Sequence, residues 1–82
     1  MNARKLLRKA ADSPANIRFG DAVKLVEAFG FRHDRTSGGH YIFVHPDLDE
    51  LVNLQNVCGK AKPYQIRQVL KLAERYNLQL RD

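Results

Sequence analysis

Two consecutive glycines, Gly38 and Gly39, stand between the polar segment Arg35-Thr36-Ser37 and the run His40-Tyr41-Ile42-Phe43-Val44-His45-Pro46. A β-branched and aromatic run that opens straight after residues tolerant of positive φ is the signature of a hairpin. The chain must therefore carry an antiparallel strand pair at its centre, and the flanking segments have to cover it. Glycine also lets another molecule's backbone come close, and the imidazole that follows titrates nearer neutrality than any other unperturbed side chain. A phosphate or a sugar fits such a mouth. So does a plain turn whose histidine is only an exposed strand residue.

The flanks supply helices. Ala3, Leu6, Leu7 and Ala10 fall at helical spacing with Arg4, Lys5, Arg8 and Lys9 on the other side, so a short amphipathic helix is expected over 3–11. Pro14 stops it, because proline disfavours helix at the residue before it. After a connector over 16–20, with Phe19 placed to staple the next helix, Ala22, Leu25, Val26 and Phe29 form an i, i+3, i+4, i+7 stripe over 21–29 that Gly30 closes in a left-handed cap. Strands are expected over 31–36, 40–45 and 51–57, the last one beyond an acidic turn Asp47-Leu48-Asp49-Glu50. A basic turn Gly59-Lys60-Ala61-Lys62 then leads to Pro63, which suits the first position of a helix running to about Asn77. Its apolar stripe is Ile66, Val69, Leu70, Ala73 and Tyr76, with Arg67, Lys71 and Arg75 together on the far side.

This order predicts an α+β fold of two layers, a core α-β-β-β-α like that of double-stranded-RNA-binding domains, with an extra short N-terminal helix. The sheet is expected to be three-stranded and antiparallel, with both core helices on one of its faces. The 82 residues fit a single domain 1–82 with its core at about 16–77 and a frayed tail 78–82, near the size at which one apolar layer is all a chain can build. A deep internal pocket is not expected.

Fourteen Lys and Arg against nine Asp and Glu give a net charge of +5, which points to a polyanionic or acidic partner. No run approaches the ~18 apolar residues of a membrane span, so the expected location is the cytosol and no membrane partner is foreseen. Cys58 has no second cysteine to pair with and reads as a small buried residue at a strand end. None of His33, His40 and His45 shares a helix with another at ligand spacing, so no metal site and no cofactor is expected.

Gly30-Phe31, then Gly38-Gly39-His40 with Phe43, His45 and Pro46, and finally Lys60-Ala61-Lys62-Pro63-Tyr64-Gln65 together resemble the HicA family of toxin ribonucleases from toxin–antitoxin pairs. The likeness spans about Asn16 to Asn77. It departs at Gly39, where the family usually has serine, so that only a backbone N–H is offered there. The resemblance implies Phe43 inward and His40, of opposite parity, outward. It also implies cleavage of mRNA with His40 as general acid or base, and neutralisation by a HicB-type antitoxin that covers the histidine. His45 becomes supporting structure, and His33 has no assigned role.

Three functions fit the residues. The first is a metal-independent endoribonuclease working through His40, with Gly38, Gly39, Lys60, Lys62, Arg67 and Lys71 holding RNA. The second is a non-catalytic RNA-binding module using the same basic residues. The third is a basic domain that docks an acidic protein. Transesterification needs both an acid and a base, so the first reading requires a second group or water. Asp34, Arg32 and Tyr41 are candidates by their chemistry, the hairpin register that would place them not being readable from the sequence.

Overall fold

The computed structural model describes residues 2–81. Its elements are α1 (Ala3–Asp12), α2 (Phe19–Ala28), β1 (Arg32–Ser37), β2 (His40–His45), β3 (Leu48–Val57), β4 (Lys60–Ala61) and α3 (Pro63–Arg75), with a 3₁₀ turn at Pro14–Asn16 between the first two helices. The fold is α+β, with an antiparallel sheet in the order β1-β2-β3-β4 and the α-β-β-β-α sequence of double-stranded-RNA-binding domains, preceded by α1.

Several boundaries have a local reason. Asn2 caps α1, its side-chain oxygen accepting the Lys5 N–H at 2.9 Å, which satisfies one of the donors a helix start leaves free. Gly30, at φ +99°, follows α2, and a Cβ there would lie 2.8 Å from Nε2 of His45. Only glycine both adopts this φ cheaply and leaves room for that ring. Gly38 and Gly39 have φ of +56° and +83°, as a two-residue hairpin turn of the primed type requires.

One core unites the layers. Leu6 and Ala10 of α1, Leu25, Val26 and Phe29 of the α2 region, and Ile66, Val69, Leu72 and Ala73 of α3 gather with Phe43, Val52 and Leu54 of the sheet into a single buried cluster. Phe43 points into it at 1% exposure, as expected. The alternation of a strand then sends His40, Ile42 and Val44 to the opposite face.

Four expectations about the sheet and its surroundings are corrected. The segment Leu48–Glu50 is the start of β3 and not part of an acidic turn, because the turn after β2 is short and Leu48 already pairs with His45. Lys60 and Ala61 form a fourth strand where a basic turn was expected, pairing with Val57 and Asn56 in the part of β3 that overhangs β2. Backbone bonds from Ala61 N–H to Ile17 O (3.0 Å) and from Phe19 N–H to Gly59 O (2.9 Å) hold this short strand on its other side. Cys58 is exposed, not buried, since it shares with Gly59 a two-residue turn at φ +52° and +87°. The tail turns back on the molecule: Arg81 N–H donates to Ala28 O at 2.6 Å, and Leu78 and Leu80 pack against the core.

Tyr76 leaves the α3 stripe to which it was assigned and is 43% exposed. It lies just past the last helical turn, and its hydroxyl donates to the Glu50 carboxylate, which also accepts from Arg75 at 3.2 Å. The Glu50 hydrogen bond, helped by desolvation and by the negative charge, holds the Tyr76 phenol above its ordinary value of 10.0, against the opposing pull of Arg75. The raised value belongs to the folded state, so its stabilising contribution is present below the unfolded phenol's pKa and is lost as pH climbs through the folded one. A tyrosinate absorbance titration is therefore expected to find Tyr76 ionising at lower pH in a Glu50→Gln variant than in wild type. Coincident curves would show that the bond to Glu50 does not form in solution.

Candidate functional site

Two hairpin turns lie at one end of the sheet. β1 and β3 run toward this end and β2 and β4 run away from it, so Gly38-Gly39 and Cys58-Gly59 are neighbours in the layout and His40 and Lys60 each begin a strand beside them. Lys60 is exposed on β4 and bridges in antiparallel fashion to Arg18. Lys62 caps α3, its ammonium 5.9 Å from the centre of the Tyr64 ring. The start of α3 is tied to the same level of the sheet through Gln65, which is 1% exposed. Its amide oxygen accepts the Gln55 N–H at 2.8 Å and its amide nitrogen donates to the Gln55 side chain at 2.9 Å, and Gln55 is the residue directly opposite His40.

His40 is half-buried, and its Nδ1 lies 3.0 Å from Oδ1 of Asn53. Asn53 pairs with Ile42, which makes it a diagonal neighbour of His40 on the same face of the sheet. Asn53 also borders a groove of about 330 Å³ between β3 and α3, lined further by Glu50, Gln68, Lys71 and Arg75. Lys71 lines this groove with Asn53, and His40 does not. Arg67 lies one turn earlier on the exposed face of α3 and is not among the groove residues. Gly38 and Gly39 are exposed at the turn, and a Cβ added to either meets nothing within 4 Å. At Gly39 the positive φ, and not crowding, is what disfavours a serine.

The other two histidines are held for different ends. His45 is 7% exposed, its Nε2 donating to Phe29 O at 3.2 Å and its Nδ1 accepting the Asp47 N–H at 3.1 Å. Both ring nitrogens are spent on backbone groups, with the ring edge-on to Phe31. This explains why Gly30, Phe31, His45 and Pro46 occur together: the glycine clears space for a ring that joins the end of α2 to the turn after β2. His33 is exposed, with Nε2 2.9 Å from the Thr36 hydroxyl and its ring against Phe43 and Tyr41.

The side chains considered for the second proton transfer stand elsewhere. Tyr41 lies on the core side, its ring 4.7 Å from that of Phe19. Asp34 sits at the register slip of β1, paired with Arg35 at 2.7 Å and Arg32 at 3.9 Å. Among the described residues no group of three or more His, Cys, Asp or Glu could hold a metal ion, and no helix is long and apolar enough to cross a membrane.

Asn53 and Gln65 are the two side chains of this region that the sequence reading missed. Gln65 had a signal: it stands at the spacing of Val69 and Leu72 on the buried stripe, and a polar residue at such a position needs a built partner. Asn53 had only its parity with Leu51 and Gln55, which says nothing until the strands are in register. No curated protein and no solved structure matches the chain at a significant level. A family model described as the HicA toxin of bacterial toxin–antitoxin does match, over residues 19–74, from the start of α2 almost to the end of α3. That span is more than half of the chain and contains Gly30, the glycine turn, His40 and the Phe43-to-Pro46 segment, so the protein belongs to the HicA toxin family.

Proposed function

We propose that this toxin is a metal-independent endoribonuclease of the cytoplasm, which cleaves mRNA with His40 as general acid or base and is held inactive by a HicB-type antitoxin. The observation that carries the reading is the situation of His40. It opens a strand behind two glycines, its Nδ1 is engaged by Asn53, and Nε2 has no partner among the described side chains. In the reaction the 2′-oxygen of a ribose bonds to the adjacent phosphorus as the bond to the 5′-oxygen breaks, leaving a cyclic phosphate and a 5′-hydroxyl. His40 moves one of the two protons, from the 2′-hydroxyl or to the 5′-oxygen, and water moves the other. Gly38 and Gly39 let the RNA backbone approach, and Lys60, Lys62, Arg67 and Lys71 neutralise phosphates, with Arg4 and Lys5 as further cations of α1.

The test is cleavage of RNA by the purified chain in excess chelator. Cyclic-phosphate ends are the expected product, and an absolute need for a divalent ion would overturn the mechanism. A chain that binds RNA without ever cutting it would instead be a binding module. Phosphate neutralisation releases counterions, so with about four to six phosphates engaged the affinity for single-stranded RNA is expected to fall roughly 50- to 300-fold between about 50 and about 200 mM salt. Affinity unchanged over that range would remove the basic residues from the RNA interface and favour an acidic protein as their partner.

A further inference from the structure

We propose that Asn53 is a positioning residue that fixes the tautomer and orientation of His40, so that Nε2 is the nitrogen presented to RNA. The inference rests on the nuclease reading for its consequence in catalysis, but the tautomer itself is a property of the free protein.

The chemistry follows from one contact. The atom that Asn53 offers to Nδ1, at 3.0 Å, is its amide oxygen, and an amide oxygen only accepts. Nδ1 must therefore carry the proton in neutral His40, which leaves the lone pair on Nε2. The remaining neighbours set by the strand register do not compete for the ring. Ser37 lies opposite on β1, and Gln55, directly across on β3, is turned to the buried Gln65 on both its backbone and its side chain. Among the described residues Asn53 is thus the side chain hydrogen-bonded to the imidazole, and it is itself carried on the middle of the longest strand. Among the described residues the charged groups around this end include Arg35, diagonal to His40 on β1 and held by Asp34 at 2.7 Å, the cations Arg18, Lys60 and Lys62, and Lys71 in the groove that Asn53 borders. None of them is altered by substitution at Asn53.

The nitrogen-15 shifts of the His40 ring report the tautomer directly in the wild-type chain without RNA. The proton is expected on Nδ1. In Asn53→Ala it is expected to move largely to Nε2, the form that predominates in a free histidine side chain. For cleavage, Asn53→Ala is expected to lower kcat by about 10- to 100-fold, as misorientation of a reacting group does, with KM for RNA little changed. Asn53→Asp keeps the acceptor and adds a charge that favours the imidazolium, so it should retain the Nδ1–H tautomer and move the His40 limb of the pH–rate profile up by about one unit or more. A proton on Nε2 in wild type, or a tautomer unmoved by Asn53→Ala, overturns the inference even if the enzyme cuts RNA. A pH profile identical in wild type and Asn53→Asp overturns it as well. Conversely, a wild-type chain with the Nδ1–H tautomer that never cuts RNA leaves the positioning intact and removes the nuclease reading.

Discussion

His40→Ala is expected to abolish RNA cleavage while the protein stays folded and still binds RNA. The side chain lies on the face of the sheet away from the buried cluster and is half-buried, so removing it opens no core cavity. What is lost structurally is one hydrogen bond to Asn53, whose amide is also only half-buried and can be rehydrated. That costs about 1 kcal/mol. A positioned acid or base contributes on the order of 10²- to 10⁴-fold in rate, and the other titratable side chains considered among the described hairpin residues are engaged elsewhere: Tyr41 packs on Phe19, His33 lies 2.9 Å from the Thr36 hydroxyl and Asp34 is tied to two arginines. Activity should therefore vanish from the assay while the unfolding midpoint and the RNA titration barely move. In living cells the same substitution should relieve growth arrest without co-expression of an antitoxin. Cleavage by His40→Ala at the wild-type rate would take the catalytic role away from this histidine.

The parts of the fold legible in the sequence were those with a strong local rule behind them. Gly38-Gly39 announced the hairpin because both turn positions need positive φ, and both have it. The stripe from Ala22 to Phe29 announced α2, although the helix begins earlier, at Phe19. Where structure depends on pairing between distant segments, the sequence was silent. β4 is two residues long, too short for any period, and exists because β3 overhangs β2 and because Ile17 and Phe19 bond to the same short segment. The acidic residues at 47–50 looked like a turn by composition, yet cross-strand pairing with His45 draws Leu48 into β3.

The candidate site was less legible than the fold. Two glycines make His40 conspicuous, but a plain turn accounts for them equally well, and a role for this histidine came only from the family resemblance. Its partner Asn53 lies thirteen residues on and was hidden, because which residue of β3 stands diagonal to His40 depends on a register that no turn rule sets. Lys60 and Lys62 were read as one basic turn. They turn out to occupy two different elements, a strand and a helix cap, that begin at the same end of the sheet as the histidine. Tyr76 was misplaced because helical spacing was carried one residue too far, beyond the point where Glu50 captures its hydroxyl.

Phe43→Ala is expected to be the most damaging single truncation in the sheet. The ring is 1% exposed, stands opposite Val52, and is met edge-on by His33 at 5.5 Å. Phenylalanine truncation in a well-packed core costs about 3–5 kcal/mol, whereas a domain of this size holds roughly 4–12 kcal/mol in total. The melting temperature should accordingly fall by roughly 12–40 °C, and cleavage should be lost together with structure because His40 shares the strand. The informative comparison is Ile42→Ala, next in sequence but on the opposite, half-buried face, where the loss should be a small fraction of that at Phe43. The pair tests the parity of the hairpin, on which the outward aim of His40 depends. A one-residue slip would exchange the two faces completely, so an Ile42→Ala chain less stable than Phe43→Ala would turn His40 toward the core and remove it from any RNA-facing role.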